Sequence, residues 1–197
     1  MGKNKIWIII IAAVVIWIAM SYNGMLTSSE KVNQSWADVE AAYQARADKS
    51  KGLAAIVKGA ADFEQETLTA VIEARSKASS VNISADDLTS ENMAKFQNAQ
   101  NQFSGALSKL MVVIERYPDL KAVQAYRDFQ HEYSEMENAI KTARIDYNEA
   151  ATNYNIKIKR LPNGLYSGLL GFDRKETFKS SEGSEEAPEM EDLLNRD

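Results

Sequence analysis

The sequence predicts an all-α protein, in which an N-terminal transmembrane helix is followed by an antiparallel bundle of long helices. Three observations support this fold class. Residues 6–20 are fifteen consecutive apolar residues, drawn only from Ile, Trp, Ala, Val and Met. The rest of the chain is rich in residues that favour helices, and the whole chain has only 3 Pro. Apolar residues also recur at spacings of three and four over long stretches, which is the pattern of an amphipathic helix.

The apolar run 6–20 needs its flank to cross a membrane. As a helix it covers roughly 22 Å, whereas the hydrocarbon core of a bilayer is about 30 Å thick. Continuation through Tyr22 to Leu26 lengthens the span to roughly 31 Å and puts the Tyr22 ring at the level of the lipid headgroups. We therefore expect one membrane-spanning helix.

A cleaved signal peptide is the alternative interpretation of the N-terminus. A basic start followed by a short apolar run is also the signal-peptide pattern, and Ala19-Met20-Ser21 resembles a cleavage site. Trp7 and Trp17 lie near the two ends of the run, which favours a helix that stays in the bilayer.

The charges around the run predict its orientation. Lys3 and Lys5 precede the run closely, whereas Lys31 and Arg46 follow it at a distance. Because positive residues concentrate on the cytoplasmic side, we expect a cytoplasmic N-terminus and a bundle on the periplasmic or external face of the cell membrane.

The chain divides into a membrane anchor (residues 1–26), a helical bundle domain (27–178) and a disordered acidic tail (179–197). Residues 180–197 hold seven acidic side chains and one arginine, about -6 of a net charge of -5. Such a segment cannot bury enough apolar area to fold. The remainder sums to about +1 without a basic patch, so nucleic acid is not an expected partner.

The first bundle helix is predicted to begin at a capping box, Thr27-Ser28-Ser29-Glu30. Its apolar stripe weakens over residues 46–52, where Gly52 costs about 1 kcal/mol of helix propensity, so a bend or a frayed turn is expected there. The Ser-, Asn- and Asp-rich stretch from 76 to 90 is predicted to be the loop that follows.

Two further helices are predicted on either side of Pro118, which cannot continue a helix ladder. The stripe of the second helix runs from Met93 to Tyr117, and the third helix begins at Asp119 and ends near Leu161.

Charged residues on these apolar stripes are expected to pair between helices. They are Arg46 and Glu64 on the first helix and Glu137 and Arg144 on the third. An unpaired buried charge is very costly, so we predict cross-helix salt bridges that fix the helix register. Gln100, Glu137 and Arg144 set the register either within one chain or between chains, and we expect a homo-oligomer in the second case.

The dipeptide Tyr-Asn occurs twice at a separation of seven residues, as Tyr147-Asn148 and Tyr154-Asn155, so both tyrosines lie on one helix face. The favoured interpretation is core packing with the hydroxyls at the rim, and a docking surface is the alternative.

The segment from Asn163 to Phe172 is apolar but broken by glycines, and it is predicted to fold back onto the bundle. Contact with the membrane surface is the alternative, because Leu169 and Leu170 lie close to basic residues in the sequence.

The sequence offers little catalytic chemistry. It has no Cys, one His and no Gly-rich phosphate loop, so neither an enzymatic activity nor a cofactor is expected. The exception is a metal site formed by Asp128, His131, Glu132 and Glu135, but a bundle di-metal site needs the Glu-x-x-His pattern twice.

These residues resemble the LemA family of bacterial membrane-anchored helical proteins, from the first helix to Phe178. The resemblance is carried by Tyr22-Asn23, Trp36, Arg46-Ala47-Asp48, Val57-Lys58-Gly59, Glu64, Ala74-Arg75, Glu115-Arg116-Tyr117-Pro118-Asp119-Leu120-Lys121, Glu137-Asn138, Ala143-Arg144, Tyr147-Asn148, Tyr154-Asn155, Pro162, Gly171-Phe172 and Phe178. The chain departs from the family pattern at Asp48–Leu53, where the family has Asp-Leu-Ile-Pro-Asn-Leu.

The resemblance implies an N-terminal anchor and an antiparallel helical bundle, with no established catalytic activity. It also implies an envelope role, because relatives include magnetosome-membrane proteins and members occur beside genes for a membrane metalloprotease. Tyr117-Pro118-Asp119 and the two Tyr-Asn pairs carry over as structural motifs only.

We therefore expect a non-enzymatic, single-pass membrane protein that serves as an envelope scaffold or adaptor, in contact with membrane lipid. The alternative function is a self-assembling, membrane-remodelling protein that contacts lipid through residues 163–178.

Overall fold

The computed structural model describes residues 3–59 and 64–179. Within these ranges the chain forms five α-helices and no strand, so the predicted all-α class is confirmed. The helices are α1 (Lys3–Lys58), α2 (Gln65–Ser80), α3 (Ser90–Ile114), α4 (Pro118–Ala122) and α5 (Gln124–Lys159). The predicted acidic tail from 180 onward lies outside the described residues.

Helix α1 runs for 56 residues from the apolar span into the bundle without a break. The predicted helix start at Thr27 is therefore wrong. The Thr27 hydroxyl donates to the Asn23 carbonyl oxygen at 2.8 Å, which is one turn back along a continuing helix. The frayed turn that was one expectation for residues 46–52 is also absent, because the helix continues through Gly52 and ends at Lys58.

The other helix ends differ in detail from the predictions. Helix α2 continues to Ser80, so the predicted 76–90 loop is shortened to residues 81–89. Helix α3 starts where the Thr89 hydroxyl accepts a hydrogen bond from the Asn92 N–H at 3.3 Å. The third predicted helix is interrupted, because Val123 is extended (φ -65°, ψ 125°) and separates α4 from α5.

The long helices α1 and α5 pack antiparallel along the molecule. Lys157, near the end of α5, donates to the Gly24 carbonyl oxygen at 2.7 Å, and Lys49 pairs with Glu132 at 3.1 Å. Helices α2 and α3 form a hairpin beside them, with α3 parallel to α1.

The bundle contains two apolar clusters, one near the membrane span and one at the far end. The proximal cluster includes Met25, Val32, Trp36, Val39, Tyr43, Ile83, Leu88, Met93, Phe96, Ile140, Tyr147, Ala151, Tyr154, Ile158, Phe172 and Phe178. The distal cluster includes Leu53, Val57, Leu68, Val71, Phe103, Leu107, Leu110, Val113, Ile114, Leu120, Tyr126 and Phe129. Burial of this apolar surface is the main stabilising contribution.

The apolar run near the N-terminus has the opposite character, because its large side chains face outward. Trp7, Ile8, Val15 and Ile16 are among its exposed residues. Of the helices in the described ranges, α1 is the one long and apolar enough to cross a membrane, and its apolar window is not buried by the bundle. An exposed apolar face of this size is typical of a helix that contacts lipid.

Candidate functional site

The candidate site is a groove on the proximal half of the bundle, which the chain fills with its own C-terminal segment. After α5 the chain makes two short 3₁₀ turns in residues 160–170, which we call the basal turn. Gly171 then adopts a left-handed conformation (φ 78°), which favours glycine and directs the chain back along the bundle. Residues 171–179, the strap, run antiparallel to α5, and the side chains that hold them form the strap groove.

The side chains of Asn148 and Asn155 each bond both the backbone N–H and the backbone carbonyl oxygen of one strap residue. Asn155 Oδ1 accepts from the Lys175 N–H at 3.0 Å, and Asn155 Nδ2 donates to the Lys175 carbonyl oxygen at 2.8 Å. Asn148 does the same for Phe178, at 2.8 and 3.1 Å. An asparagine amide carries a donor and an acceptor side by side, so it satisfies an extended residue as a neighbouring strand would.

The tyrosine of each pair adds one bond to the same backbone. The Tyr147 hydroxyl donates to the Glu176 carbonyl oxygen at 2.6 Å, and the Tyr154 hydroxyl donates to the Asp173 carbonyl oxygen at 2.9 Å. Burial raises the pKa of Tyr154 to about 12, with a smaller contribution from the Asp173 charge. Burial, followed by the Glu176 charge, also raises the Tyr147 pKa. Both hydroxyls are therefore protonated donors at neutral pH.

The spacing of the two pairs matches the spacing of the strap. Seven residues of α-helix advance about 10.5 Å, and three residues of an extended chain advance about 10 Å. The pairs, seven residues apart, bond strap positions three residues apart: Asp173 and Glu176 by the tyrosines, Lys175 and Phe178 by the asparagines. The repeated dipeptide thus binds an extended backbone in register through hydrogen bonds, while its buried tyrosine rings also pack in the core.

An aromatic pocket receives the Phe178 side chain. Its ring lies 5.5 Å from the Tyr147 ring and 6.1 Å from the Trp36 ring, centroid to centroid. The Arg144 guanidinium lies 4.7 Å from the Phe178 ring centroid, and it donates to the Lys179 carbonyl oxygen at 3.4 Å. Arg144 was expected to form a salt bridge between helices, and it binds the strap instead.

The loop of residues 81–89 forms the opposite wall of the groove. The Trp36 indole N–H donates to the Ile83 carbonyl oxygen at 2.9 Å and so holds this loop on α1. Lys175 Nζ donates to the Ala85 carbonyl oxygen at 2.6 Å, and the Glu176 N–H donates to the Leu88 carbonyl oxygen at 3.4 Å. The strap is therefore bound from both sides.

A buried polar layer separates the two apolar clusters. Arg46 pairs with Glu137 at 2.8 Å, and its guanidinium also donates to the Gln100 side chain at 2.9 Å. The Arg46 side chain is only 3% exposed, whereas that of Glu137 is 37% exposed. This is a cross-helix salt bridge of the predicted kind, between α1 and α5, and it occurs within one chain.

The remaining predicted residues lie far from the groove. Glu64 precedes α2 and pairs with Arg116 at 3.4 Å on the surface, where such a pair contributes little. Tyr117 precedes α4, and Pro118 is the first residue of that helix, which tolerates proline because it needs no donor there. Asp119 lies in the same first turn. These residues define a turn at the distal end.

The four residues considered as metal ligands do not converge. Glu132 pairs with Lys49, Asp128 accepts a hydrogen bond from Gln124, and His131 Nδ1 lies 3.7 Å from an exposed Glu135 oxygen. In residues 3–59 and 64–179, no three His, Asp or Glu side chains are arranged to hold a metal ion.

The basal turn contacts α1 where the apolar run ends. The Tyr166 hydroxyl donates to Ser21 Oγ at 2.9 Å, and Ser21 in turn bonds Asn163. The Trp17 and Tyr166 rings lie edge to face at 6.4 Å. Leu165 and Leu169 of this turn are 74% and 89% exposed. The turn thus presents apolar side chains at the membrane end of the bundle.

The predicted folding of residues 163–172 back onto the bundle is confirmed at Tyr166 and Phe172, which pack on the proximal cluster. The strap beyond Phe172 and its contacts were not predicted. Gly171, Lys175 and Phe178 lie in a segment without helical periodicity, so their partners could not be inferred. The seven-residue spacing of the Tyr-Asn pairs was the available signal. It repeats the same hydrogen-bond donors and acceptors on one helix face at an interval that matches three residues of an extended chain.

The fold and the site define a class of membrane-anchored helical bundles that bind their own C-terminal segment in an extended conformation. Within that class the family is shown by the sequence. Residues 35–191 match the sequence profile of the LemA family, and the chain belongs to this family.

Curated relatives share shorter regions with the chain. Magnetosome protein MamQ 2 of Paramagnetospirillum magneticum is 41% identical over 81 residues, which are 41% of this chain and 30% of the relative. Magnetosome protein MamQ of Magnetospirillum gryphiswaldense is 31% identical over 80 residues, 41% of this chain and 29% of the relative. Protein LemA of Metamycoplasma hominis is 32% identical over 124 residues, 63% of this chain and 53% of the relative. The chain therefore spans between about a third and a half of these relatives.

Proposed function

We propose that this LemA-family protein is a non-enzymatic scaffold or adaptor of the cell envelope. The observation that supports this is the 56-residue helix α1, which carries the apolar span directly into the bundle core. A helix without a break holds the bundle at a fixed height and orientation above the bilayer. An adaptor needs such a fixed presentation of its binding surface to proteins in the same membrane.

Chemical cross-linking and mass spectrometry of intact membranes test this role. The neighbours of the full chain are compared with those of a control fusion, in which residues 1–26 anchor an unrelated soluble domain. An adaptor retains specific neighbours that the control lacks, because the bundle makes the contacts. Identical neighbour sets for the two proteins would contradict the proposal.

We propose that the N-terminus is cytoplasmic and that the bundle lies outside. The basis is the lysine bias at the N-terminal side of the run. Alkaline phosphatase fused after Asp197 is then active, whereas a fluorescent cytoplasmic reporter at the same position is dark. The reverse pair of results would place the bundle in the cytoplasm.

The second candidate is a membrane-remodelling protein that contacts lipid through residues 163–178. The exposure of its side chains supports lipid contact by only part of this segment. Phe172 and Phe178 are buried in the proximal cluster, but Leu165 and Leu169 are exposed beside the end of the apolar run. Leucines near basic side chains are suited to the boundary between headgroups and acyl chains.

Spin labels test the lipid contact, because the chain has no Cys. A label at Leu169→Cys is compared with one at Val112→Cys, an exposed apolar position on distal α3. Lipid contact gives high collision with oxygen and low collision with a water-soluble nickel complex at position 169 and the opposite at position 112. Aqueous behaviour at both positions would exclude it. Remodelling further requires that the full chain deform vesicles and that Leu165→Ser with Leu169→Ser abolish the effect.

An enzymatic role would rest on the cluster around His131. Metal analysis of the purified full chain decides it. Stoichiometric iron, manganese or zinc that is lost on His131→Ala would favour a metal-dependent enzyme over the scaffold. We expect neither bound metal nor an effect of the substitution, because His131 is exposed and its neighbours do not converge.

A further inference from the structure

We propose that a cavity at the membrane end of the bundle, which we call the basal cavity, binds the headgroup of an anionic phospholipid, with the lipid phosphate against Arg160 and Lys157. The cavity has a volume of about 420 Å³, within the range of roughly 300–1,000 Å³ of small-ligand sites. The proposal rests on the membrane span of α1 alone, so it is compatible with either candidate function. The lining of the basal cavity includes Trp17, Ser21, Ile156, Lys157, Arg160 and Leu161.

The basal cavity lies at the height where the apolar run gives way to polar residues. Trp17 belongs to the run, and Ser21, about one helical turn further, is the first polar residue after it. Above them, Lys157 Nζ donates to the Gly24 carbonyl oxygen at 2.7 Å and to Ser28 Oγ at 2.8 Å. Because the predicted span 6–26 ends in this stretch of α1, the cavity lies at the boundary between acyl chains and headgroups.

The two basic side chains of the cavity have no carboxylate partner. Lys157 and Arg160 are three residues apart, so they lie on the same side of the end of α5. Within residues 3–59 and 64–179, neither of them forms an ion pair. None of the described residues that line the cavity is acidic. The cavity therefore complements the charge of an anion.

The carbonyl groups at the end of α5 do not use the Arg160 side chain. Basic side chains near the end of a helix often bond its last carbonyl groups. Here the basal turn does so instead, since Asn163 Nδ2 donates to the Lys157 carbonyl oxygen at 3.0 Å and Ser167 Oγ donates to the Ile158 carbonyl oxygen at 3.1 Å. The Arg160 guanidinium is thus left for a ligand, and its planar set of donors matches the oxygens of a phosphate.

The apolar part of the lining favours a lipid over a soluble phosphate. The Trp17, Ile156 and Leu161 side chains are all exposed. An acyl chain covers these side chains while the phosphate of the same molecule contacts Arg160, whereas a free phosphate leaves them uncovered.

The charge of the cavity also selects among lipids. A zwitterionic headgroup carries a cation of its own, which would lie close to the cations of Lys157 and Arg160 and be repelled. A headgroup with a net negative charge has no such cation. We therefore expect a preference for phosphatidylglycerol over phosphatidylcholine.

Quenching of Trp17 fluorescence by brominated lipids tests the site in the full chain. Trp7→Phe removes the tryptophan at the other end of the span, and Trp36 is only 1% exposed inside the bundle, so the quenched signal comes from Trp17. The protein is reconstituted in vesicles of phosphatidylcholine and phosphatidylglycerol, in which one lipid or the other has brominated acyl chains. The ratio of quenching by the two lipids measures the headgroup preference of the cavity.

The expected result is stronger quenching by brominated phosphatidylglycerol. Arg160→Gln should reduce this preference about fivefold, which is the attraction of one basic residue to an anionic membrane surface. Lys159→Gln is the matched control, because it removes one charge at the same height from an exposed side chain that does not line the cavity. It should change the preference less than about twofold, since solvent and salt screen a charge outside the cavity. Thermal unfolding verifies that both variants fold as the parent does.

Three outcomes would overturn the proposal. Equal quenching by the two lipids would show that the cavity has no headgroup preference. Equal losses in Arg160→Gln and Lys159→Gln would show a diffuse attraction to the membrane surface instead of a site. Relief of the quenching by inorganic phosphate, beyond that caused by sodium chloride at the same ionic strength, would assign the cavity to a soluble phosphate.

Discussion

Replacement of Asn155 by alanine should release the strap from its groove. The side chain of Asn155 makes two hydrogen bonds to Lys175, at 2.8 and 3.0 Å, and alanine removes both. Each such bond contributes about 0.5–1.5 kcal/mol net, so the loss is about 1–3 kcal/mol. That free energy corresponds to an increase of about 5-fold to 150-fold in the open population.

Trypsin cleavage after Arg174 measures this opening in the full-length protein in membranes. When opening and closing are fast relative to cleavage, the cleavage rate follows the population of the open form. Mass spectrometry identifies the cleaved bond. Asn148→Ala should act similarly at Phe178, and the two effects should multiply, since the sites lie about 10 Å apart and share no bond.

Asn153→Ala is the matched control. It is the same change on the same helix, at an exposed residue outside the Tyr-Asn pairs. If the cleavage rate of Asn155→Ala is within about twofold of that of Asn153→Ala, the two hydrogen bonds of Asn155 do not hold the strap. The match between the spacing of the Tyr-Asn pairs and that of the strap would then contribute nothing to strap binding.

Three further predictions concern the polar layer, the tyrosines and the start of the strap. Glu137→Leu leaves the buried Arg46 guanidinium without its carboxylate partner and should lower the free energy of unfolding by about 3 kcal/mol, the lower part of the usual range because Glu137 is 37% exposed. Arg46→Met in the same chain should recover most of this loss, as measured by thermal unfolding. Because the pKa of Tyr154 is raised in the folded state, its protonated hydroxyl contributes fully to stability below pH 10, and this contribution should be lost as the pH rises through about 12. Tyr154→Phe should remove that step from the alkaline unfolding curve followed by circular dichroism. Gly171→Ala should destabilise the closed strap by about 1–2 kcal/mol, because its backbone is left-handed, and should speed strap cleavage about 5-fold to 30-fold. Gly168→Ala, at a position with open space around it and no positive φ, should leave the cleavage rate unchanged.

The helical class and the apolar span could be predicted because both are local properties of the sequence. Periodicity at three and four residues identifies a helix wherever one face is buried, and the family followed from motifs spread over most of the chain. The end of α1 at Lys58 could not be placed. Gly52 suggested a bend or a frayed turn over residues 46–52, but α1 continues there, with Leu53 and Val57 buried in the distal cluster and the turn before it tied to α5 by Arg46. Tertiary contacts of this kind override the propensity of one residue.

The strap could not be predicted because its partners are distant in the sequence. An extended segment has no periodicity of its own, and Phe178 and Lys175 form hydrogen bonds with residues 20 to 90 positions away. Arg144 was assigned to an ion pair for the same reason, since a sequence shows the charge of a residue and not the aromatic ring that it will face. The Tyr-Asn repeat indicated a special face of α5, yet the two interpretations of that face could be separated only by the position of residues 171–179.

The continuity of α1 has a mechanical consequence for the protein. From Leu26 to Lys58 the helix extends about 48 Å beyond the predicted span, so it acts as a lever fixed in the bilayer. A tilt of about 10° in the membrane displaces its far end by about 8 Å, with the distal cluster carried along. A spanning helix that is longer than the local hydrocarbon thickness can accommodate by tilting, so thinning of the membrane would shift the lateral position of the turn around Pro118 at the opposite end.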